Sequence, residues 1–477
     1  MAASRSERRR ADHIKSPLPP GLRQTLGPVM AAGYRLGVQW RNRGFDRGKR
    51  PIARVAVPVI SVGNLSAGGT GKTPTVQWIV SGLRARGARP AIAMRGYGGS
   101  PENIESVAAA ASATSAFSAH PDADSDAGPS VNPASSSQSD EAAEHRLRSP
   151  GVPVLVHPDR AAAIESYLRA AKRLSPSPSS VGAVSPIDVV VLDDGFQHRR
   201  LHRDLDLVLV DATRPPWRDR LLPHGYLREP LANISRATAV AITRLDAFSK
   251  PEQVFRDCCD RLRPLLAADV PIAGFGHGWS FFRVLAGRDH IPDTDVAAPA
   301  AAAVVLPGAA AESGASLPAS TRRPDRAGGS PDADASDVGV GVDVDVDVDV
   351  DVDLLRVDWL AGRRVVVACA IGNPQALLDQ VQAVGQAKIV DTCVRRDHAR
   401  WSPSTLQNVM EVAREARAEA ILTTLKDWVK IEPAVRQMAS GVAVPCPLIA
   451  PQLDLQPMFN LAPLESLILR VAARRGA

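Results

Sequence analysis

Aromatic side chains are scarce, 4% of 477 residues, although the 45% hydrophobic and 23% charged fractions are those of a globular protein. The shortage points to tracts that hold no packed core. Cysteine is scarce too: Cys258, Cys259, Cys369, Cys393 and Cys446 form neither a C-x-x-C pair nor an even framework. That excludes a disulfide scaffold and reads as reduced thiols in apolar surroundings. No apolar run approaches the ~18 residues of a membrane span. The start, MAASRSERRR, lacks the apolar segment of a secretory signal.

Acidic residues are nearly missing from the first 50 positions. Glu7, Asp12 and Asp46 stand there against 12 Lys and Arg, a net +9 in a chain whose total is +6, so the remainder carries −3. Within this basic stretch Leu26, Val29, Met30, Gly33, Leu36, Gly37 and Trp40 recur at helical spacing, with Arg35, Arg41 and Arg43 on other faces. The pattern predicts an amphipathic helix, either lying on an anionic lipid surface or packed on the core with a solvated basic tail. No aromatic-interleaved basic platform follows, which argues against nucleic acid as a partner.

From position 58, short apolar runs alternate with helical patterns, as in a parallel α/β sheet. Strands are expected at 59–62, 91–94, 152–156, 188–192, 205–210 and 239–243, and helices at 73–86, 159–173 and 252–266. A second set follows: 364–370, 375–384, 388–392, a helix after 402, and a strand near 420–423. Tracts of Ala, Ser, Pro and Asp at 100–138 and 174–186, and a linker at 291–354 ending in a Val-Asp repeat, read as disordered insertions. The expected division is 1–50 as a membrane-associating N-terminus, 51–290 as the core and 355–477 as a smaller α/β lobe.

Ser66-Ala67-Gly68-Gly69-Thr70-Gly71-Lys72-Thr73 lies between the apolar strand VPVISVG and a helical pattern. A phosphate-binding loop needs glycines so that backbone N–H groups can turn inward, a Lys for phosphate oxygens, a Ser or Thr hydroxyl for Mg²⁺, and a helix N-terminus behind them. All are present, with Ser66 where the usual pattern has its first Gly. The buried run 187–192 ends in Asp193 and Asp194, followed by Gly195-Phe196-Gln197-His198. Carboxylates at that sheet edge can hold Mg²⁺ or its water shell. This is the fold class of a P-loop NTPase-like parallel sheet flanked by helices, with a second, smaller lobe.

VGNLSAGGTGKTP, RGYGG (95–99), DDGFQHRRL (193–201) and LPHGYLREP (222–230), followed by AIGNP (370–374), RDH (396–398) and TTLKD (423–427), closely resemble the tetraacyldisaccharide 4′-kinase family. With the insertions set aside, the resemblance covers most of residues 22–440, in order. It implies phosphorylation, with MgATP, of the 4′-hydroxyl of the lipid A precursor, a tetraacylated glucosamine disaccharide 1-phosphate, by a peripheral enzyme at the cytoplasmic face of the inner membrane. Such a substrate stays in the bilayer, which would give the basic N-terminus its purpose.

Carried over motif by motif, the resemblance implies that Lys72 clamps phosphates within the loop 66–73. Thr73 with Asp193 or Asp194 would handle Mg²⁺, and Arg228 and Glu229 would line the site. Tyr97, Gln197 and His198 would lie near nucleotide or sugar. Asp140 would be the general base, oriented by His398, with Glu141 the alternative base and His277 a rival partner. The family's Gly-Asp-Glu-Pro-like motif stands here as Ser139-Asp140-Glu141-Ala142, and Leu425 replaces a usual Glu. The competing reading is a regulatory or metal-insertion GTPase, because Thr243-Arg244-Leu245-Asp246 mimics the [NT]-K-x-D signature that reads guanine.

Overall fold

The computed structural model describes residues 26–95, 140–173, 186–292, 295–297, 353–372, 374–396, 399–438 and 444–474. Tyr97, His398, residues 1–25, the tract 100–138 and most of 174–186 and 291–354 lie outside the described residues. The elements are α1 (Gly27–Asp46), β1 (Val59–Asn64), α2 (Lys72–Arg84), β2 (Pro90–Met94), α3 (Asp140–Arg148), β3 (Val154–Val156), α4 (Arg160–Arg173), β4 (Val189–Asp193), β5 (Leu205–Asp211), β6 (Ala239–Thr243) and α5 (Pro251–Leu262). They continue as β7 (Ile272–Ala286), β8 (Val296–Ala297), β9 (Leu354–Leu355), β10 (Arg364–Cys369), α6 (Pro374–Ala383), β11 (Lys388–Val394), α7 (Pro403–Glu415), β12 (Ala420–Leu422), α8 (Leu425–Gln437), β13 (Leu448–Phe459) and α9 (Ala462–Ala472).

β1, β4 and β5 are buried at every residue. Strands covered on both faces are marked by continuous apolar runs, not by alternation. Among the described residues, thirteen strands form one sheet: β11-β10-β12-β13-β7-β6-β5-β1-β4-β2-β3, with β8 and β9 beside β7. Along that path the neighbours are parallel except for the long antiparallel pair of β7 and β13. The two expected lobes therefore share one sheet.

α2 carries the Lys72 end of the loop and is covered along most of its length. Its Val76, Ile79, Val80 and Leu83 pack under the β1 side of the sheet and meet Leu464, Ile468 and Val471 of α9. Trp78 meets Phe275 of β7 edge to face at 5.2 Å. Full burial of an aliphatic side chain contributes roughly 1.5–3 kcal/mol, and a domain's net stability is only ~5–15 kcal/mol. Three such residues on α9 are thus a large share of what holds the first half together.

α1 buries Val38, Asn42 and Phe45 and leaves its apolar stripe outside. Val29 is 71% exposed, Leu36 67% and Trp40 72%. Among the described residues no helix is long and apolar enough to cross a membrane.

Candidate active site

The turn from β1 into α2 is braced on both sides. Gly71 caps α2 at φ 89°, and a Cβ there would lie 2.4 Å from His277 Nε2, so only glycine fits. The Thr70 hydroxyl accepts from Asn64 Nδ2 at 2.7 Å, and the Thr70 carbonyl accepts from the Thr243 hydroxyl at 3.1 Å. Arg244 donates to the Gly69 carbonyl and pairs with Asp211 at 3.4 Å. The 222–230 motif runs beside the loop: Ser66 bridges to Leu227, and the N–H groups of Ala67 and Arg228 donate to the carbonyls of Tyr226 and Leu65 at 2.7 Å each. Gly68 takes φ 118°, and Thr73 sits half-buried in the first turn of α2.

β4 delivers the acid pair to the same edge. Asp194, at φ 53°, receives both Arg228 contacts, 2.8 and 2.7 Å, and lies 3.7 Å from Lys72 Nζ. Two cations thus converge on one carboxylate beside the loop. Gln197 donates to the Asn64 carbonyl at 2.8 Å and accepts from Arg228 at 3.4 Å. His198 is pushed down to about 4 by burial and by the charges of Arg160 and Arg203, so its ring is neutral. Asp193 is 6% exposed. Burial opposes its ionisation, but the hydrogen bond from His145 and the charges of Lys72 and Arg160 hold the carboxyl below its ordinary value.

α3 brings Asp140 and Glu141 to this edge. Asp140 pairs with Lys430 of α8 at 2.8 Å. Glu141 is half-buried, and its carboxyl is raised by burial and by the nearby Asp193 charge, with Lys72 and Lys426 opposing. The second half of the chain therefore reaches the loop through α8. Thr424 caps that helix, accepting from the Asp427 N–H at 3.1 Å, and Leu425 is buried beside it. The fully buried Asp427 accepts from the Ala370 N–H at 3.0 Å and from Trp401 Nε1 at 3.3 Å. One carboxylate thus ties the 370–374 and 423–427 motifs together, next to the segment that follows RDH.

Glu229 does something different from its neighbour. Its carboxylate is wholly buried and accepts from Arg41 at 2.8 Å, Asn42 at 3.1 Å, Asn233 at 2.7 Å and Arg236 at 2.8 Å. It anchors α1, and the Tyr34 hydroxyl adds a bond to the Arg228 carbonyl at 2.9 Å. The guanine-reading alternative finds no support at 243–246. Arg244 braces the loop, and the Asp246 carboxylate accepts the His277 N–H at 2.7 Å.

The donor set suits a hard divalent cation. Asp193 Oδ1 is buried with no hydrogen-bond partner, and Asp194 and Glu141 add carboxylates whose mutual charge registers in the raised Glu141. Mg²⁺ in a nucleotide site takes one or two carboxylates and fills the rest of its shell with phosphate oxygens and water, a demand that these carboxylates can meet.

Sequence reasoning missed His145, Gln77, Arg160 and Lys430, because the partner of each lies on a distant segment that only the fold brings near.

The sequence model of LpxK, tetraacyldisaccharide-1-P 4′-kinase, matches residues 23–291 and 318–463. The tetraacyldisaccharide 4′-kinase of Pelodictyon phaeoclathratiforme is 35% identical over 243 residues, 51% of this chain and 60% of that one. That of Chlorobium limicola is 34% identical over 232 residues, and the match spans 57% of its length. That of Syntrophus aciditrophicus is 30% identical over 461 residues, 95% of this chain and 96% of that one. In structure, the LpxK of Aquifex aeolicus in complex with ATP superposes with a TM-score of 0.54 at 22% identity, over 94% of this chain and 99% of that chain, a likeness of fold. With the family pattern running through both halves and its motifs meeting around one loop, this chain belongs to the tetraacyldisaccharide-1-P 4′-kinase family.

Proposed function

We propose that this chain transfers the γ-phosphoryl group of MgATP to the 4′-hydroxyl of a tetraacylated glucosamine disaccharide 1-phosphate, working peripherally at the cytoplasmic face of the inner membrane. The observation that carries this reading is the convergence of Lys72, Arg228, Asp193, Asp194 and the first turn of α3 on one P-loop. Phosphoryl transfer asks mainly for positioning and charge neutralisation. The loop 66–73 holds the phosphates, with Lys72 on their outer oxygens. Thr73 and Asp193 or Asp194 would hold Mg²⁺, which when bound neutralises charge on the β- and γ-phosphates.

The 4′-oxygen bonds to the γ-phosphorus as the bond to the bridging oxygen breaks and ADP leaves. The hydroxyl proton passes to Asp140. Its side chain is 27% exposed and ion-paired to Lys430, so an external alcohol can reach the carboxylate, whereas Glu141 faces the acid pair. His398 of the RDH motif is the partner that the family resemblance gives to this base, and Tyr97 a contact for nucleotide or sugar. Support for the membrane location comes from α1, whose exposed Val29, Leu36 and Trp40 stand beside Arg35, Arg43 and Arg47.

The test is incubation with radiolabelled ATP and the disaccharide 1-phosphate in detergent, following the label into a bisphosphorylated lipid. Asp140→Asn should depress kcat strongly with little change in KM for ATP. If Asp140→Asn keeps most of its turnover while Glu141→Gln loses it, the base is Glu141. Labelled phosphate appearing only in inorganic phosphate, with GTP outcompeting ATP, would point to a GTPase instead.

A further inference from the structure

Asp193 is reached from behind by a directional chain of hydrogen bonds. Ser149 donates its hydroxyl to Gln77 Oε1, which orients that amide. Gln77 Nε2 then lies 2.8 Å from His145 Nδ1, and His145 Nε2 lies 2.9 Å from Asp193 Oδ2. An amide N–H can only donate, so His145 Nδ1 accepts and the ring's proton sits on Nε2, directed at the carboxylate. His145 is 0% exposed and Ser149 4%, and Gln77 lies on α2, one turn beyond the phosphate loop. Of the two Asp193 oxygens, Oδ2 is engaged and Oδ1 is buried without a partner.

The geometry points to His145 as a positioning residue: held in its Nε2–H form by Gln77 and Ser149, it fixes the Asp193 rotamer so that Oδ1 is kept for the divalent cation that accompanies ATP. What matters is a donor at a fixed place, and the Nε2–H form supplies one. Glu141 and His145 are four residues apart on α3 and so share a face. The same bond therefore sets how far the first turn of α3, with Asp140 and Glu141, stands from the acid pair. This inference rests on the reading of Asp193 as a cation ligand.

The experiment measures Mn²⁺ binding to the full chain in the presence of a non-hydrolysable ATP analogue, by the electron paramagnetic resonance signal of the free ion. His145→Leu keeps the volume and removes the donor, and should weaken Mn²⁺ by about 10- to 100-fold, the range for losing a partner behind a metal ligand. kcat should fall with it while KM for ATP stays within about threefold. His145→Gln has an amide N–H that reaches Asp193 and an oxygen that accepts from Gln77, and should restore binding to within about threefold of the parent. Mn²⁺ binding by His145→Leu at the parent level, with Asp193→Asn defective, overturns the role of His145 alone. Normal binding by Asp193→Asn overturns the cation reading and this inference together. A His145→Gln variant as weak as His145→Leu also overturns it. Should His145→Leu fail to fold, Gln77→Met carries the test by removing the donor that fixes the ring, and unchanged Mn²⁺ binding there overturns the inference.

Discussion

Arg41 of α1 and Glu229 meet at 2.8 Å across 188 residues of sequence, with the carboxylate fully buried. Glu229 is bonded to α1 while Arg228, its immediate neighbour, holds Asp194 beside Lys72. The helix that exposes an apolar stripe is thus fastened one residue away from the phosphate loop. Glu229→Ala leaves Arg41 and Arg236 facing a buried gap, and stripping one partner from a buried ion pair costs about 3–5 kcal/mol. A clear drop in the denaturation midpoint is expected. An unchanged midpoint would mean that α1 is held by something else.

On the proposed function, Lys72→Ala removes a charge that would face the developing negative charge on the γ-phosphoryl group, and such a loss costs about 10² or more in rate. The fold should persist, because Asp194 keeps both Arg228 contacts. Circular dichroism and single-turnover kinetics on the same sample check both halves of this expectation. Near-parent turnover in a folded variant would remove Lys72 from the chemistry.

Replacing Val29, Leu36 and Trp40 together by Ser should reduce partitioning onto anionic vesicles by well over tenfold, each buried apolar side chain contributing roughly 1.5–3 kcal/mol. The anchors Arg41 and Asn42 stay in place, so turnover on substrate dispersed in detergent should change little. Deleting residues 1–50 is a poorer experiment, since it would also strip Glu229 of two donors. Co-sedimentation of the triple variant at the parent level would assign the stripe another use.

The buried His277 is pushed down to about 3 by burial and by the Arg244 charge, and His198 to about 4. In the unfolded chain both titrate near ~6.5. The unfolded state therefore binds more protons between those values, and stability falls as pH drops from about 6.5 toward 3. His277→Gln should flatten that fall, read from urea midpoints at pH 5 and pH 7.5. An equal slope in variant and parent would place the acid sensitivity elsewhere.

Val296 and Ala297 pair with Leu355 and Leu354, which brings the two ends of the intervening tract together. Excising residues 300–350 should leave the proposed kinase activity largely intact, since the sequence of that tract, Ala-rich and ending in Val-Asp repeats, carries none of the family motifs. A folded but inactive excision variant would give the tract a role.

The strands of the first half were legible because they are buried on both faces and so stand out as apolar runs. β7 and β13 were not. β7 carries Gly274, Gly276 and Gly278 within IAGFGHGWSFFRVLA, and β13 carries Pro451 and Pro457, residues that argue against an interior strand. The pair tolerates them through irregularities at Gln452/Leu453 and Pro457/Phe459. The phosphate loop and the acid pair are contiguous in sequence and were read directly. The resemblance implies that Glu229 lines the site with Arg228; in the fold its carboxylate is buried against Arg41, Asn42, Asn233 and Arg236, since adjacent residues outside regular structure can point opposite ways. His145 sits in DEAAEHRLR, a helix with few apolar residues, and only the fold sets it against Gln77 and Asp193.

The antiparallel seam of β7 and β13 also dictates an order of events during synthesis. α9, which follows that seam, supplies Leu464, Ile468 and Val471 to the core under the phosphate loop, almost 400 residues after the loop itself has been made. A nascent chain halted before residue 448 holds every motif of the family resemblance, through 423–427, and still lacks a wall of its first core. Such a chain must wait, exposing Val76 and Ile79, until α9 is free of the ribosome. Released chains truncated near 445 should be cut within α2 by added protease, and released full chains should resist.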